Sequence, residues 1–468
     1  MKIEQIYTGC LAQGAYYIES NGEAVIIDPL RDVQSYVEKA KSNGAVIKYI
    51  LETHFHADFV SGHLELSEAT GAKIVFGPSA KTNFDSHVAQ DGEILKVGNI
   101  TIEVLHTPGH TLESSCFLLR DEHGVQHAVF TGDTLFIGDV GRPDLAQKAG
   151  SITQEDLAGM LYDSLRNKLM PLENHVLVYP AHGAGSACGK NMSKETFDTL
   201  GHQKEVNYAL QDISKEQFVQ ELTTGLLAPP YYFAQNVALN KSGADSLNSV
   251  LSKSAHGLSP EQFQLRSEDE SVLILDVRAP QSFCQAFIPG AINIGLKGDF
   301  APWVGTLITD LKQSILLVTE EGQEEEAITR LARVGYDGVV GFLSGGMEAW
   351  KQSGFELDTI ESIHAEEFEK RVAEGDFKVF DVRKPGEYEA EHLELAYATP
   401  LHELNLHMSK FQDEKTKYVH CAGGYRSMIA CSILKARGIA DVIDVAGGFN
   451  AISKTNLTRT QFVCPSKK

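Results

Sequence analysis

Metal-ligating side chains recur along this chain at points where an apolar segment gives way to a glycine- or proline-rich loop. The apolar segment 46–51 leads into the segment 54–59, which reads HFHADF, and further donors follow at His110, Asp133 and His182. Strands that end at one edge of a sheet can direct side chains from distant parts of a sequence to one point. The pattern therefore predicts a metal centre at strand ends in a domain of mixed strands and helices.

The spacing of these donors resembles that of the metallo-β-lactamase superfamily, whose dinuclear members carry HxHxDH in the first motif. Phe59 stands here in place of the last histidine, and a phenyl ring has no lone pair for a metal. The pattern that is left is similar to that of persulfide dioxygenases, which hold one iron(II) with two histidines and one aspartate. The resemblance implies an αββα sandwich that holds one Fe(II) per chain on His54, His110 and Asp133.

By the same resemblance, His56, Asp58 and His182 are expected either to orient the ligands or to be remnants of a second metal position. The spacing alone does not separate a ligand from its neighbour. The first strands carry an independent signal, because the apolar segments 16–18 and 24–27 flank an Asn-Gly pair that is typical of a tight hairpin.

Two further residues near the motifs are candidates for handling substrate. Arg142 matches a position where persulfide dioxygenases carry an arginine near the substrate, and a structural ion pair is the open alternative. Cys188 lies in a glycine-bounded loop together with Lys190. Such a loop favours a thiolate that could relay sulfur, and a free cysteine without a role is the alternative.

The second half of the chain contains an internal repeat. The segment 275–278, LDVR, recurs as FDVR at 380–383, and the SGGM of 344–347 is matched by the AGGF of 446–449. A period of about 100 residues indicates whole domains in tandem rather than a solenoid. The DVR and Gly-Gly signatures resemble those of rhodanese domains. We therefore expect an α/β multidomain protein with a metallo-β-lactamase sandwich at 1–254, a rhodanese-like domain without the catalytic cysteine at 255–357, and an active rhodanese domain at 358–468.

The second copy of the repeat contains a loop suited to sulfur chemistry, HCAGGYRS at 420–427. Backbone N–H groups that converge at a helix N-terminus favour an anion and lower the pKa of a thiol, which makes Cys421 a candidate nucleophile. Arg426 adds a positive charge for a sulfur oxyanion, and Gly423 and Gly424 permit a tight turn around the substrate. The loop resembles a rhodanese active loop, and a buried structural cysteine is the alternative reading.

The first copy of the repeat lacks the cysteine and the arginine of this loop. Its corresponding loop, 317–324, reads LVTEEGQE and contains neither cysteine nor arginine. Further negative charge follows in Glu325 and Glu326, where an anion would have to bind. We predict that this copy is catalytically inactive and that it spaces or docks the active domains.

Composition limits the partners of the chain. A formal net charge of −22 argues against nucleic acid, because phosphate contacts need clustered Lys and Arg. No apolar run approaches the ~20 residues of a membrane span, and the N-terminal segment 1–7 lacks a secretory apolar region. Seven scattered cysteines do not suggest a disulfide framework. We expect a cytoplasmic protein that acts on small molecules, and an acidic surface with one unused domain allows a homo-oligomer.

The combined resemblance, to fusions of a persulfide dioxygenase with an inactive and an active rhodanese, spans nearly the whole chain. It implies that a thiol persulfide of the glutathione, coenzyme A or bacillithiol type is oxidised by O₂ to sulfite. Sulfite and a second persulfide would then give thiosulfate, which amounts to sulfide detoxification. Two alternatives are a dinuclear thioester hydrolase like glyoxalase II, which Phe59 disfavours, and a non-oxidative carrier of sulfane sulfur on Cys421.

Overall fold

The computed structural model describes residues 1–147, 151–226, 228–373 and 375–463. The chain forms two compact units, Met1–Val250 with Thr329–Gly335, and Leu251–Ile328 with Tyr336–Lys468. This division does not test the expected domain limits after residues 254 and 357, which stay predictions. None of the helices in the described ranges has the length and apolar character that a membrane crossing requires.

The first unit contains two six-stranded sheets. Their strands are β1 Lys2–Thr8, β2 Gln13–Ser20, β3 Glu23–Ile27, β4 Val46–Glu52, β5 Lys73–Phe76, β6 His87–Val88, β7 Ile94–Val97, β8 Ile100–His106, β9 Ser115–Arg120, β10 Gln126–Gly132, β11 Leu177–Pro180 and β12 Asp198–Thr199. The strand order is β1-β2-β3-β4-β5-β6 in the first sheet and β12-β11-β10-β9-β8-β7 in the second. The predicted hairpin is present, since β2 pairs antiparallel with β3 and both Asn21 and Gly22 have positive φ.

Helices cover the outer faces of these sheets. They are α1 Gln34–Ser42, α2 His63–Thr70, α3 Gln154–Ser164, which continues as a π-helix over Leu165–Leu169, α4 Leu200–Val206, α5 Lys215–Thr223, α6 Phe233–Ser242 and α7 Leu247–Ser254. A short 3₁₀ turn lies at Tyr208–Leu210.

The core of the first unit follows the alternation of side chains along each strand. In β2, Tyr16 and Ile18 join a buried cluster that also receives Phe117 and Phe130 from the second sheet. Tyr17, between them in sequence, belongs instead to a cluster shared with the α1 and α2 helices. Since successive residues of a strand point to opposite faces, the two sheets pack on each other and on helices. The expected αββα sandwich is therefore confirmed.

The second unit contains two five-stranded sheets with the same topology. The first is built from β13 Gly257–Leu258, α8 Pro260–Ser267, β14 Val272–Asp276, α9 Pro280–Gln285, β15 Ile292–Asn293, α10 Phe300–Leu307, β16 Ser314–Val318, α11 Glu324–Arg333, β17 Val339–Leu343 and α12 Gly346–Gln352. The second is built from β18 Glu361–Ile363, α13 Ala365–Val372, β19 Phe377–Asp381, α14 Pro385–Ala390, β20 Ala396–Ala398, a 3₁₀ segment Leu401–Phe411, β21 Thr416–His420, α15 Tyr425–Ala436, β22 Val442–Val445 and α16 Gly448–Ile452.

The strand orders β13-β17-β16-β14-β15 and β18-β22-β21-β19-β20 correspond element by element, and all neighbouring strands are parallel. Loops at the carboxyl ends of parallel strands are where such sheets bind ligands. The loop that begins at Cys421 leaves β21 at that end, and the loop that begins at Thr319 leaves β16 in the same way.

Candidate metal centre and sulfurtransferase loop

Three buried side chains converge on one point of the first unit. His54 follows β4, His110 follows β8 and Asp133 follows β10 directly. The Nε2 atoms of His54 and His110 lie 3.8 and 3.4 Å from Oδ2 of Asp133. Their ligand atoms all fall within 4.8 Å of one another. These are the residues that the resemblance names as iron ligands, and the structure brings them together.

Hydrogen bonds on the far side of each ring direct a lone pair toward this point. Nδ1 of His110 lies 2.8 Å from the carbonyl oxygen of Arg142. Because a carbonyl oxygen can only accept a hydrogen bond, Nδ1 is the protonated nitrogen of this ring. Nδ1 of His54 lies 3.0 Å from Oγ1 of Thr53, whose own proton goes to Asp28. Both rings are therefore assigned the tautomer that leaves Nε2 free to bind a metal. Burial, followed by the nearby charge of His56, holds the pKa of His54 well below its ordinary value.

The carboxylate of Asp133 is divided between two tasks. Its Oδ1 accepts a hydrogen bond of 2.8 Å from Nδ1 of His182. Its Oδ2 and Nε2 of His110 are buried and have no hydrogen-bond partner. Burying unpaired polar atoms is costly, so their convergence indicates a site for a cation. Two imidazoles and one carboxylate form a donor set that suits a non-haem iron and leaves about three positions open.

His182 lies between two carboxylates and not among these three donors. Its Nε2 is 2.8 Å from Oδ2 of Asp58, while its Nδ1 faces Asp133. Burial opposes protonation, but the two carboxylates outweigh it and raise the pKa of His182 well above its ordinary value. Asp58, His182 and Cys188 also place one ligand atom each within 4.8 Å of one another. Asp58 and His182 are thus held in an ion network with Asp133, and whether they orient the ligands or are remnants of a second metal position stays a prediction.

The side chain of His56 binds a different pair of acids and does not join the three converging donors. Its Nε2 lies 3.1 Å from Asp28 and 3.3 Å from Glu52, and its ring stacks on Phe59 at 4.2 Å. Burial lowers its basicity, yet the two carboxylates raise the pKa of His56 to about 10. Phe59 therefore has two effects. It offers no ligand atom to a metal, and its ring stacks on His56, whose Nε2 faces Asp28 and Glu52.

The sequence reasoning missed three residues of this network. Asp28 directly follows strand β3 and Glu52 is the last residue of β4, and an acid at a strand end was the available signal. Asn240 of α6 carried no signal. Its Nδ2 donates to the carbonyl oxygens of His56 and Phe59 at 2.8 Å each, and its Oδ1 accepts from the backbone of Ser61. A distant helix thus fixes the path of the metal-binding loop.

The environments of Arg142 and Cys188 differ from those expected. The guanidinium of Arg142 is buried and forms two hydrogen bonds, of 2.6 and 2.7 Å, with Asp144. The alternative of a structural ion pair is therefore present, and a role in substrate binding stays a prediction. Burial raises the pKa of Cys188 well above its ordinary value. The ammonium of Lys190 donates to the carbonyl oxygen of Glu221. Burial of the thiol therefore opposes a thiolate, and a sulfur relay stays a prediction.

In the second unit, Cys421 occupies the first position of a loop that closes around its sulfur. The backbone N–H of Gly424 donates to Sγ at 3.1 Å, and Gly424 has a φ of +102° that favours glycine. The turn at Gly447 and Gly448 supports the loop from beneath, because the N–H of Phe449 donates to the carbonyl of Cys421 at 2.6 Å. The thiol is 1% exposed and lies on a cavity of about 420 Å³.

Arg426 reaches the same cavity in an ion pair. Its two terminal nitrogens lie 2.6 and 2.9 Å from the carboxylate of Glu387 on α14. The charge expected for a sulfur oxyanion is therefore shared with an acid that the sequence reasoning had not considered. Gly423 also lines the cavity. The structure brings Cys421, Arg426 and both glycines together, and their roles in catalysis stay predictions.

Comparison with known proteins agrees with this architecture. The family model described as the metallo-beta-lactamase superfamily matches residues 8–182, and the model described as rhodanese-like domain matches 259–353 and 364–455. A solved metallo-beta-lactamase from Staphylococcus aureus subsp. aureus COL is 31% identical, covers 73% of this chain and 98% of its own, and superposes with a TM-score of 0.65.

The chain belongs to the metallo-β-lactamase superfamily. Two rhodanese-like domains follow its metallo-β-lactamase domain. Among curated relatives, the mitochondrial persulfide dioxygenase of Bos taurus is 32% identical over 42% of this chain and 70% of its own length. A probable hydroxyacylglutathione hydrolase of Schizosaccharomyces pombe is 37% identical over 35% of this chain. The chain spans 60% of that hydrolase and 66% of a second one, from Polaromonas sp..

Proposed function

We propose that the first unit is a mononuclear iron(II) persulfide dioxygenase and that the last domain transfers sulfane sulfur to its product. In the first reaction RSSH, O₂ and H₂O give RSH, SO₃²⁻ and two protons. In the second, sulfite and another persulfide give thiosulfate and thiol. The observation that carries the proposal is the convergence of His54, His110 and Asp133 with two orphaned buried atoms between them.

Iron(II) would be held by Nε2 of His54 and His110 and by Oδ2 of Asp133, and it would supply the one-electron activation of O₂ that side chains lack. The chain supplies orientation and charge. Thr53 and the carbonyl of Arg142 keep the two rings in the ligand tautomer, and His182 holds the Asp133 carboxylate in place. A donor set with one carboxylate leaves one positive charge on a divalent ion, which favours an anionic persulfide beside it.

The environment of Phe59 supports one metal over two. A second metal would need ligands from His182 and Asp58, which bind each other at 2.8 Å, and it would find a phenyl ring where a donor is required. The dinuclear thioester hydrolase is therefore the less favoured function, although hydrolases are among the relatives. A non-oxidative carrier of sulfane sulfur on Cys421 would have no use for a buried metal-ligand set, so the set does not support that alternative.

At the last domain, the thiolate of Cys421 would attack the outer sulfur of RS–SH, forming Cys–S–SH and releasing RS⁻. Sulfite would then attack the same sulfur, regenerate the thiolate and leave as HSSO₃⁻, which loses its proton to water. The N–H of Gly424 stabilises negative charge on the sulfur throughout. The six cysteines of the described ranges are free, which fits the reducing cytoplasm that we propose. Homo-oligomer formation stays a prediction.

The test combines metal analysis with an oxygen electrode. Protein purified without oxygen should contain one iron per chain and consume O₂ when given glutathione persulfide, with sulfite as product. Asp133→Ala should lose the iron and the O₂ uptake together. Asp163→Ala, an exposed acid on α3, is the matched control and should lose neither.

Two bound metals per chain together with thioester hydrolysis would refute the dioxygenase in favour of the hydrolase. Stoichiometric iron in Asp133→Ala would refute the ligand assignment. Absence of O₂ uptake with every persulfide supplied to iron-loaded protein would leave the carrier as the better description.

A further inference from the structure

The first rhodanese-like domain packs directly against the loop of the second that begins at Cys421. The hydroxyl of Tyr425, the first residue of α15, donates to the carbonyl of Gly295 at 2.7 Å. About two turns further along α15, Oγ of Ser432 accepts a hydrogen bond of 2.9 Å from the backbone N–H of Asn293. Both acceptor and donor in the first copy belong to β15 or the segment that follows it. The two domains are therefore joined at the helix that carries the catalytic loop.

The joint is close because a glycine permits it. Gly298 has a φ of +146°, and a Cβ at that position would lie 2.9 Å from the ring of Tyr425. Any other residue would be strained at this φ and would displace the Tyr425 ring from its place. The segment 295–299 is thus shaped to bring the first copy up to the loop of the second.

Both domains line the cavity above Cys421. The second copy contributes the thiol, Lys384 and the Arg426–Glu387 pair, and the first contributes Lys297, Asp299 and Trp303. At about 420 Å³ the cavity has a volume usual for small-molecule sites. Sulfite has four non-hydrogen atoms, and a water molecule takes about 30 Å³ in the liquid. The cavity therefore has room for much more than a sulfur oxyanion.

The walls differ in chemistry between the two domains. In the second copy, the guanidinium of Arg426 is paired with Glu387 beside the thiol. In the first copy, Lys297 is exposed and Trp303 is largely buried, with 8% of its surface accessible. A flexible cation beside an aromatic wall suits a ligand that has both an anionic group and an apolar chain.

We propose that the first rhodanese-like copy supplies the subsite for the thiol body of the persulfide donor, in which Lys297 pairs with an anionic group and Trp303 packs against the chain. The donor class is an anionic low-molecular-weight thiol persulfide. This inference rests on the proposed sulfur transfer at Cys421. Lys297 and Trp303 do not touch the sulfur that moves, so they determine specificity while Cys421 carries the chemistry.

The test uses the full-length protein and two donors that undergo the same reaction. Glutathione persulfide carries carboxylates, and the persulfide of 2-mercaptoethanol carries none. With sulfite as acceptor, Lys297→Gln should raise KM for glutathione persulfide about five-fold, as expected for the loss of one partly exposed ion pair, and leave kcat unchanged. KM for the neutral donor should not change. Lys297→Arg should restore the wild-type value.

Lys312→Gln is the matched control, an exposed lysine of the same domain away from the cavity. An unchanged KM for glutathione persulfide in Lys297→Gln would overturn the subsite. So would an equal rise for both donors, because it would indicate a structural effect. Cys421→Ser in the same assay separates the two claims. If it still forms thiosulfate, the proposed chemistry at Cys421 fails; if it does not and Lys297→Gln behaves as wild type, only the subsite fails.

Discussion

The two rhodanese-like domains share a scaffold in detail and differ at one loop. In the first, Arg278 forms hydrogen bonds of 3.0 and 2.6 Å with the carboxylate of Asp276, and in the second Arg383 binds Asp381 at the same distances. Each arginine also donates to a carbonyl eight residues further on. The DVR signature is therefore a buried ion pair at the end of a strand, and it is present in both domains, including the first, whose loop 317–324 contains no cysteine.

The loops diverge directly after the corresponding strands. Sheet register matches Val318 with His420, which places Thr319 at the position of Cys421. Three glutamates then occupy the first turn of α11, where α15 has no acid. A repeat in a sequence thus reports the scaffold, and the loop alone reports the chemistry.

The largest difference between the copies should appear when the cysteines are exchanged for serine. Cys421→Ser should lower thiosulfate formation at least about 10³-fold, because serine is a far weaker nucleophile at neutral pH. Cys284→Ser in the first copy should have no effect. Oxygen uptake should be unchanged in both variants. If O₂ consumption falls with Cys421→Ser, the two activities are not separate.

Removing the aspartate of the DVR ion pair should lower the free energy of unfolding by the same amount in either copy. It should reduce sulfur transfer strongly only in the second copy. Asp381→Ala and Asp276→Ala each leave a buried arginine unpaired, so each should destabilise its domain by about 3–5 kcal/mol. Calorimetry measures this loss. Sulfur transfer at temperatures where the fold persists should fall with Asp381→Ala and much less with Asp276→Ala. Equal losses of activity would mean that the first copy takes part in the chemistry itself.

The Gly-Gly turns offer a sharper comparison. A Cβ on Gly448 would lie 2.3 Å from the carbonyl oxygen of Cys421, whereas one on Gly346 would lie 3.4 Å from that of Thr319. Gly448→Ala should displace the active loop and lower sulfur transfer about 10²-fold. Gly346→Ala should cost only the roughly 1 kcal/mol of a left-handed alanine. Similar kinetics for the two variants would show that the turn does not position the loop.

The smallest effect concerns a buried acid that only the active copy has. Burial raises the pKa of Asp444 from 3.8 to about 6, although hydroxyls of Ser427 and Ser362 favour its charged form. A raised pKa means that the folded domain binds the proton more tightly, so this stability is present below pH 4 and is lost as the pH rises through 6. The loss amounts to about 3 kcal/mol, at about 1.4 kcal/mol for each pKa unit.

Asp444→Asn should remove that slope in unfolding experiments between pH 4 and 7. Phe342 occupies the corresponding position of the first copy, so the contribution of Asp444 has no counterpart at that position. A slope that survives in Asp444→Asn would assign it to another group.

The sequence predicted those parts of the molecule that depend on local pattern. The hairpin at Asn21-Gly22, the repeat and the placement of candidate metal donors at strand ends follow from short motifs, because tight turns and strand ends demand particular residues nearby. The choice of His54, His110 and Asp133 among those donors came from the family resemblance. The loop from Cys421 to Arg426 is local in the same sense.

What escaped prediction depends on residues that meet only in the folded chain. The pairing of Arg426 with Glu387, the engagement of His56 by Asp28 and the packing of the segment 295–299 on α15 link positions 28 or more residues apart. A single sequence carries no periodic signal for contacts between residues so far apart along the chain. The hydrogen bond of Lys190 to the carbonyl of Glu221, 31 positions away, is a further example.

The amide of Asn240 binds the loop at His56 and Phe59 from a distance of 184 and 181 positions along the chain. Because a ribosome delivers residues in order, the loop emerges long before the helix that holds it. A nascent chain therefore displays its histidines without their final support.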